Sequence, residues 1–252
     1  MNTTWEQGSE LPELKDSNLL AEGSHARVYL LGDQAVVRRL KNYQGSYPNA
    51  NLMIHLKQVG FPTPILFEAR QDTLVMERLH GPTLLQSLIA QEISLAEAAR
   101  IMAQLHEHLH ALQPPGSSST NDQLGEEDRI LHMDIHPGTI VLTPTGPYLV
   151  DWEDSRLGPP ELDLAATALV FAMIASEPGE LQDGAASMFR KFSRTVGTGF
   201  VPYLEAAARV RAQEMDTSPE ELALIQPGLQ WAHAHLQEFP RWCVPTRQES
   251  TQ

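Results

Sequence analysis

Near the start of the chain, apolar and polar positions alternate in three successive stretches: Asn18–Glu22, Ala26–Leu31 and Gln34–Leu40. Turn residues separate them, first Gly23-Ser24-His25 and then Gly32-Asp33. Period-two segments joined by short turns predict an antiparallel meander. A polar loop over residues 41–48 follows, and then Leu52, Met53 and Leu56 recur at helical spacing within Asn49–Val59. Gly60, Pro62 and Pro64 end that helix, and Ile65–Ala69 and Thr73–Glu77 read as two more strands. From Ser94 the period changes. Ser94-Leu-Ala-Glu97 is a capping box, and Leu95, Ala98, Ile101, Met102, Leu105, Leu109 and Leu112 line one helical face up to Pro114-Pro115. Residues 1–12 and 114–128 lack periodicity and are expected to form a tail and a polar loop.

Beyond that loop, Thr139–Thr143 and Tyr148–Trp152 are apolar arms around Pro144-Thr145-Gly146-Pro147, a hairpin pattern. A turn centred between Thr145 and Gly146 sets Ile140 opposite Asp151 and Thr139 opposite Trp152. It would bring Asp151 back beside the loop that begins at Asp134. The rest predicts helices: an apolar one over Leu162–Ser176, then Leu181–Val196, Val201–Met215 and Ser218–Phe239. Ser218-Pro219-Glu220-Glu221 starts the last with a cap, proline at the first helical position and acid in the first turn. Gln226-Pro227-Gly228 is expected to kink or break it. The fold class is α+β: a small antiparallel sheet with one helix, then a mainly helical part.

Composition adds limits. The 252 residues suffice for one large domain or two lobes, and no apolar run approaches a membrane span. The N-terminus does not read as a signal peptide, and the lone Cys243 precludes an intramolecular disulfide, so a reducing cytoplasm is expected. A net charge of −14 argues against nucleic acid and anionic membranes as partners. Residues 81–160 carry net −8, against −1 in residues 1–80 and −5 in residues 161–252. That field would suit a cationic substrate, and it equally serves solubility.

Two carboxylates with separate tasks suit metal-assisted phosphoryl transfer: one holds a metal on phosphates, the other takes the proton of the attacking hydroxyl. Asp134 and Asp151 have the setting for this in His132-Met-Asp134-Ile-His136-Pro-Gly-Thr139 and Leu149-Val-Asp151-Trp. His106 and His110, four residues apart on a helix, could chelate a metal, with packing as the preferred reading.

These motifs resemble the catalytic loop and metal-binding segment of the aminoglycoside phosphotransferase and choline kinase-like superfamily, the phosphotransferase enzyme family with a protein-kinase-like fold. The resemblance implies two lobes: residues 1–79, a β-sheet lobe with one helix that covers the nucleotide, and residues 80–252, a helical lobe carrying the hairpin 130–154. It implies ATP or GTP and Mg²⁺ as cofactors and a small-molecule hydroxyl acceptor, a cationic amino sugar or amine being one candidate class, with the protein a monomer or homodimer. Asp134 takes the place of the catalytic base, and Asp151 that of the principal metal ligand. Thr139 stands where the family has a metal-binding Asn. Gly23 and Ser24 fall at the phosphate-covering turn, and Arg38 resembles the third-strand lysine that clamps phosphates. Met76, Glu77 and Leu79 resemble the hinge that meets adenine. His132 and His136 flank the base, and Asp163, in Gly158-Pro-Pro-Glu-Leu-Asp163-Leu-Ala, resembles the acid that braces the catalytic loop.

The family's helix glutamate, which holds the lysine, should fall near Asn49, so an acid elsewhere would have to replace it. Thr139 is expected to make a weak or water-mediated metal contact, and Glu153 and Asp154 to supply the oxygen that Asn would have given. Glu177, Glu180, Asp183 and Glu205 are candidates to meet a cationic acceptor. The expected activity is that of a small-molecule kinase with an alcohol group as acceptor. The alternative is a non-catalytic or weakly active kinase-like nucleotide-binding protein, since Arg38, Asn49 and Thr139 depart from the family pattern. A protein kinase is disfavoured, because Asp151 to Pro160 leaves little room for an activation loop.

Overall fold

The computed structural model describes residues 5, 8, 10–23, 26–41, 49–115, 128–213 and 217–237. In chain order the elements are β1 (Leu19–Glu22), β2 (Ala26–Leu31), β3 (Ala35–Leu40), α1 (Ala50–Gln58), β4 (Leu66–Arg70), β5 (Thr73–Glu77), α2 (Leu84–Ile89), α3 (Leu95–His110), β6 (Arg129–Leu131), β7 (Ile140–Thr143), β8 (Gly146–Leu149), β9 (Arg156–Gly158), α4 (Pro160–Ser176), α5 (Gln182–Val196), α6 (Leu204–Arg211) and α7 (Pro219–Leu236). The α+β class read from periodicity is what the chain adopts. Two compact units result: the described parts of Met1–Leu85 with Gly138–Ser155, and those of Gln86–Pro137 with Arg156–Gln252.

The first unit is built on a five-stranded antiparallel sheet in the order β1-β2-β3-β5-β4. β3 is its centre and five of its six residues are buried, which is why Ala-Val-Val carries so little polarity. Tyr29, Val37 and Val75 form the core of one face, covered by Trp5, Leu11, Leu14, Leu19, Leu31 and Phe67. Alternation along β3 turns Arg38 to the opposite face from Val37. α1 begins after Asn49, which is left-handed at φ 60°.

The hairpin departs from its expected register. β7 pairs with β8 as Ile140↔Leu149, Val141↔Tyr148, Leu142↔Pro147 and Thr143↔Gly146. The loop is therefore the two residues Pro144 and Thr145, not a turn centred after Thr145. Thr143 fixes it: its hydroxyl donates to Gly146 O at 2.9 Å and accepts from Thr145 N at 3.2 Å. Ile140 faces Leu149 rather than Asp151, and Asp151 lies beyond the paired strand. The hairpin from Gly138 packs with the sheet unit, whereas the sequence grouped it with the helices. Leu142 N donates to Pro82 O and Leu149 N to Pro62 O, and Phe61 meets Trp152 edge-on at 5.6 Å.

In the second unit α4 is the central helix. It is apolar on every side, and α3, α5, α6 and α7 all pack on it. Capping follows the sequence: Ser94 Oγ accepts from Glu97 N and Ser218 Oγ from Glu221 N, both at 3.1 Å. Glu97 does not close the box, because its carboxylate pairs with Arg100 instead. The expected break at Pro227 does not occur, and α7 runs through it. Gly228 lies so close to α4 that a Cβ there would come within 2.6 Å of Met173. Buried Ile225, Leu229 and Ala232 flank that contact, and this packing holds the helix continuous across the proline. Two short strands missed by the sequence reading, β6 and β9, pair as Arg129↔Gly158 to Leu131↔Arg156 and flank the stretch that holds Asp134 and Asp151.

Candidate functional site

In the first unit the residues gather around Arg38. Its guanidinium is buried in the sheet, with Nη2 3.1 Å from Asp151 Oδ1 and Nη1 paired with Glu153. A buried arginine is tolerated when its charge is met by carboxylates, and here two meet it. Arg39, the next residue, points out and pairs with Asp72 at 3.1 Å. Asn49, where the family glutamate was sought, does another job. Its Nδ2 lies 2.9, 3.0 and 3.1 Å from the carbonyls of Trp152, Glu153 and Ser155. It thus holds the backbone of the segment that delivers Asp151 and Glu153. The acid that sequence reasoning could not locate is Glu153; it faces Arg38, which changes the expectation that it would serve as a metal oxygen.

Asp151 itself is left-handed, with φ 69°. Non-glycine residues adopt that conformation at a cost, and such strain gathers at working positions. Of the five described non-glycine residues with positive φ, three are Asp151, its tether Asn49 and Met133, the residue before Asp134. Thr139 is buried just before β7, and its carbonyl accepts from Val150 N at 3.0 Å. In the segment resembling a hinge, Met76 is buried on β5 opposite Val36. The N–H of Glu77 donates to Ile65 O at 2.8 Å, so a nucleotide role here falls on its carbonyl. Leu79 lies two residues beyond β5, half-buried. Gly23 closes the β1–β2 turn by donating to Ala26 O at 2.9 Å. A Cβ there would make only an ordinary 3.8 Å contact, so this turn does not require glycine. Ser24 lies outside the described residues.

In the second unit the residues gather around two acids, Asp163, which is buried, and Asp134, which is part-buried. Asp163, in the first turn of α4, is fully buried. Its carboxylate accepts from Met133 N at 2.7 Å, from His132 N at 3.1 Å and from His110 Nε2 at 2.9 Å. Burial pushes its carboxyl up, but the His110 hydrogen bond and the charges of His106, His110 and His132 outweigh this and hold it well below the usual carboxylate range. The two backbone bonds fix Met133 in its strained conformation and so aim the next residue. Asp134 N in turn donates to His132 Nδ1 at 3.2 Å.

Asp134 carries its own partners. His136 Nε2 lies 3.4 Å from Oδ2, and Arg211 Nη1 donates to Oδ1 at 3.0 Å. Burial again pushes the carboxyl up, and His136, Arg211 and His132 together bring it well below the ordinary range. Arg211 closes α6 and is held on its other side by Glu221, which accepts from Nε at 2.6 Å. Neither residue was singled out from the sequence. Basic residues favour the last turn of a helix and acids the first, and that is the only local signal either gives.

His106 and His110 follow the preferred packing reading, their rings 5.6 Å apart edge to face. His106 Nδ1 donates to Met102 O at 2.9 Å, and its Nε2 sits 3.2 Å from Thr167 Oγ1, which donates to Ile135 O at 2.8 Å. Among the described residues no group of three or more His, Cys, Asp or Glu could hold a metal ion. Glu177, Glu180 and Asp183 follow α4, whose first turn holds Asp163; fourteen residues of helix put Glu177 roughly 20 Å from Asp163. Glu205 lies 3.6 Å from His233. No described helix is long and apolar enough to cross a membrane.

Comparison with known proteins bears on the family and the fold. Residues 90–188 match the profile of the phosphotransferase enzyme family. Over 119 residues the chain is 26% identical to a probable serine/threonine-protein kinase BUD32 homolog of Archaeoglobus fulgidus, covering 46% of this chain. The chain spans about half, 50%, of the length of that curated relative. Among solved structures, it superposes on the gentamicin complex of APH(2")-IIa with a TM-score of 0.55 and 12% identity, covering 88% of this chain and 91% of the other. Against aminoglycoside phosphotransferase APH(4)-Ia the TM-score is 0.58 at 11% identity, covering 87% and 92%. A thermostable APH(4)-Ia mutant, solved as a ternary complex with AMP-PNP and hygromycin B, gives 0.57 at 14%, covering 89% and 93%. The fold is that of the aminoglycoside phosphotransferases, and the resemblance to the phosphotransferase enzyme family, first read from the residues around Asp134 and Asp151, is shown.

Proposed function

We propose that the protein transfers the γ-phosphoryl group of ATP, or GTP, to a hydroxyl of a small molecule. The observation that carries this reading is the pairing of buried Arg38 with Asp151. It links the residue resembling the phosphate clamp to the residue resembling the metal ligand, in a chain whose family match spans both acids of the motif. The nucleotide analogue bound to the thermostable APH(4)-Ia mutant supports a nucleoside triphosphate as donor.

In this reading the acceptor oxygen attacks the γ-phosphorus, the bond to the bridging oxygen of the leaving diphosphate breaks, and the proton passes to Asp134. Asp134 is ionised throughout the neutral range, as a base must be. Arg38 binds the phosphates. The turn at Gly23 would cover them, and Met76, the Glu77 carbonyl and Leu79 would receive the base of the nucleotide. Mg²⁺ is usually held through one or two carboxylates plus substrate phosphates, so the all-oxygen set of Asp151 with Thr139 suits it. Asp151 would be its principal ligand, and bound there it would neutralise phosphate charge. A cationic amino sugar is one acceptor class, which the net −8 of residues 81–160 would suit.

A second reading is favoured by one observation: both oxygens of Asp134 already have partners, Arg211 and His136. In that reading the protein binds nucleotide without turning it over. Thermal shift with ATP separates the two. Stabilisation that needs Mg²⁺ and is lost in Asp151→Asn and Arg38→Ala supports transfer. Mg²⁺-independent stabilisation, unaffected by Asp151→Asn, supports the second reading.

A further inference from the structure

We propose that Arg211 is a positioning residue for phosphoryl transfer, acting through Asp134. The inference rests on the reading of Asp134 as the proton acceptor. Three observations lead to it. The Asp134 carboxylate is gripped at both ends, Oδ1 by Arg211 Nη1 at 3.0 Å and Oδ2 by His136 at 3.4 Å. Arg211 is gripped in turn by Glu221, through Nε at 2.6 Å and Nη2 at 2.5 Å. Its backbone is tied as well, since Thr217 Oγ1 donates to Arg211 O at 2.8 Å.

The consequence follows from geometry. A carboxylate on a free side chain rotates about two bonds and must be ordered again in each transition state. One clamped by a guanidinium that is itself clamped is ordered before the acceptor arrives. The clamp also sets the charge. Asp134 is faced by Arg211 from α6 and by His136 and His132 from its own loop, and Glu221 of α7 offsets part of the Arg211 charge. The remaining cationic field keeps Asp134 ionised, so that its carboxylate is available to orient the acceptor hydroxyl. The arrangement makes turnover depend on α6 and α7, which the sequence alone connects to the catalytic loop in no way.

The test uses the full-length protein and three variants, Arg211→Ala, Arg211→Lys and Glu221→Gln. Two readouts are followed: steady-state ATP-dependent acceptor phosphorylation against pH, and the titration of the Asp134 carboxyl by ¹³C NMR. The NMR readout needs no turnover, so it reports on the clamp even if the chain proves not to be a phosphotransferase. In folded Arg211→Ala the expected result is a kcat lower by about tenfold or more, little change in acceptor KM, and an Asp134 titration moved upward, with the acid limb of the pH profile following it. Arg211→Lys is expected to restore the titration and recover part of kcat. Glu221→Gln is expected to lower kcat by about threefold while leaving Asp134 ionised, and it keeps the proposal open to refutation if Arg211→Ala does not fold. An unchanged Asp134 titration in Arg211→Ala overturns the proposal. So does a rise in turnover in Arg211→Ala or Glu221→Gln, which would make Arg211 a plug on the base. A wild-type chain that phosphorylates no acceptor, yet shows the shifted titration in Arg211→Ala, instead refutes the phosphotransferase reading.

Discussion

Arg38 on β3 and Glu153, two residues past Asp151, form an ion pair within the first compact unit, its arginine buried and its carboxylate part-buried. The cation on the third strand therefore draws its carboxylate from the segment that delivers the metal-ligand candidate, not from the helix after the strand. That helix instead supplies Asn49, which ties down the same segment by its carbonyls. Cation, acid and tether form one interlocked piece.

Removing the acid leaves Arg38 buried, with Asp151 still 3.1 Å from its other terminal nitrogen. Glu153→Gln is expected to cost roughly 2 kcal/mol of stability, since breaking a partly buried pair strands the other charge. In a double-mutant cycle with Arg38→Met, most of that loss should disappear. Urea denaturation of the four proteins measures it; a cost below about 0.5 kcal/mol, the range of exposed pairs, contradicts the pairing.

Asn49 works through both its amide and its backbone. Asn49→Ala removes the bonds to three carbonyls and puts alanine, which tolerates the left-handed region less well than asparagine, at φ 60°, for a cost of roughly 3 kcal/mol. Asn49→Gly loses the bonds but relieves the backbone, for roughly 1 to 2 kcal/mol. Alanine being worse than glycine at the entrance of a helix is the expected signature, read by thermal or urea melts. The reverse order would refute the left-handed assignment.

Gly81 has φ 153°, and a Cβ there would lie 1.8 Å from Leu142 O, a backbone atom of β7. Gly81→Ala must push the hairpin away from the preceding chain, and a loss of roughly 3 kcal/mol or more is expected. Retained stability would show that the hairpin is not seated against this strand exit.

Acid should weaken the protein in two stages. Burial pushes His106 down to about 4, against 6.5 for an ordinary histidine. The unfolded chain binds a proton at that histidine before the folded one does. This contribution is therefore complete above pH 6.5 and is lost as the pH falls toward about 4, for a total on the order of 3 kcal/mol. Asp163 and Asp134, held below the usual carboxylate range, add a second loss at lower pH, below an ordinary aspartate's titration. Urea midpoints between pH 7 and pH 4 measure the first stage. A His106→Gln variant should lose its slope in that window, and an undiminished slope there would refute the assignment.

Much of this architecture could be read from the residues, and the failures are instructive. The five strands, α1 and the helix series announce themselves by period, because each buries one face or one stripe. Asp134, Asp151 and Asp163 stood out because their neighbours form a motif. The hairpin register slipped by one turn position, since Pro144-Thr145-Gly146-Pro147 supports more than one turn and only the Thr143 hydroxyl decides between them. α7 outlasted its proline because Gly228 and Met173 are matched in space, which no local pattern records. The Arg38–Glu153 and Asp134–Arg211 pairs were invisible for the same reason: each joins residues whose own surroundings in the chain look ordinary.

The central claim is tested most directly by following phosphoryl transfer from γ-labelled ATP with Mg²⁺ to a panel of amine-bearing, sugar and amino-acid alcohols, using the wild-type protein and Asp134→Asn. The account predicts labelled acceptor with the wild type and a loss of about a hundredfold or more in kcat for Asp134→Asn, with ATP still bound. Transfer that survives intact in Asp134→Asn, or nucleotide binding with no transfer to any acceptor, would contradict it.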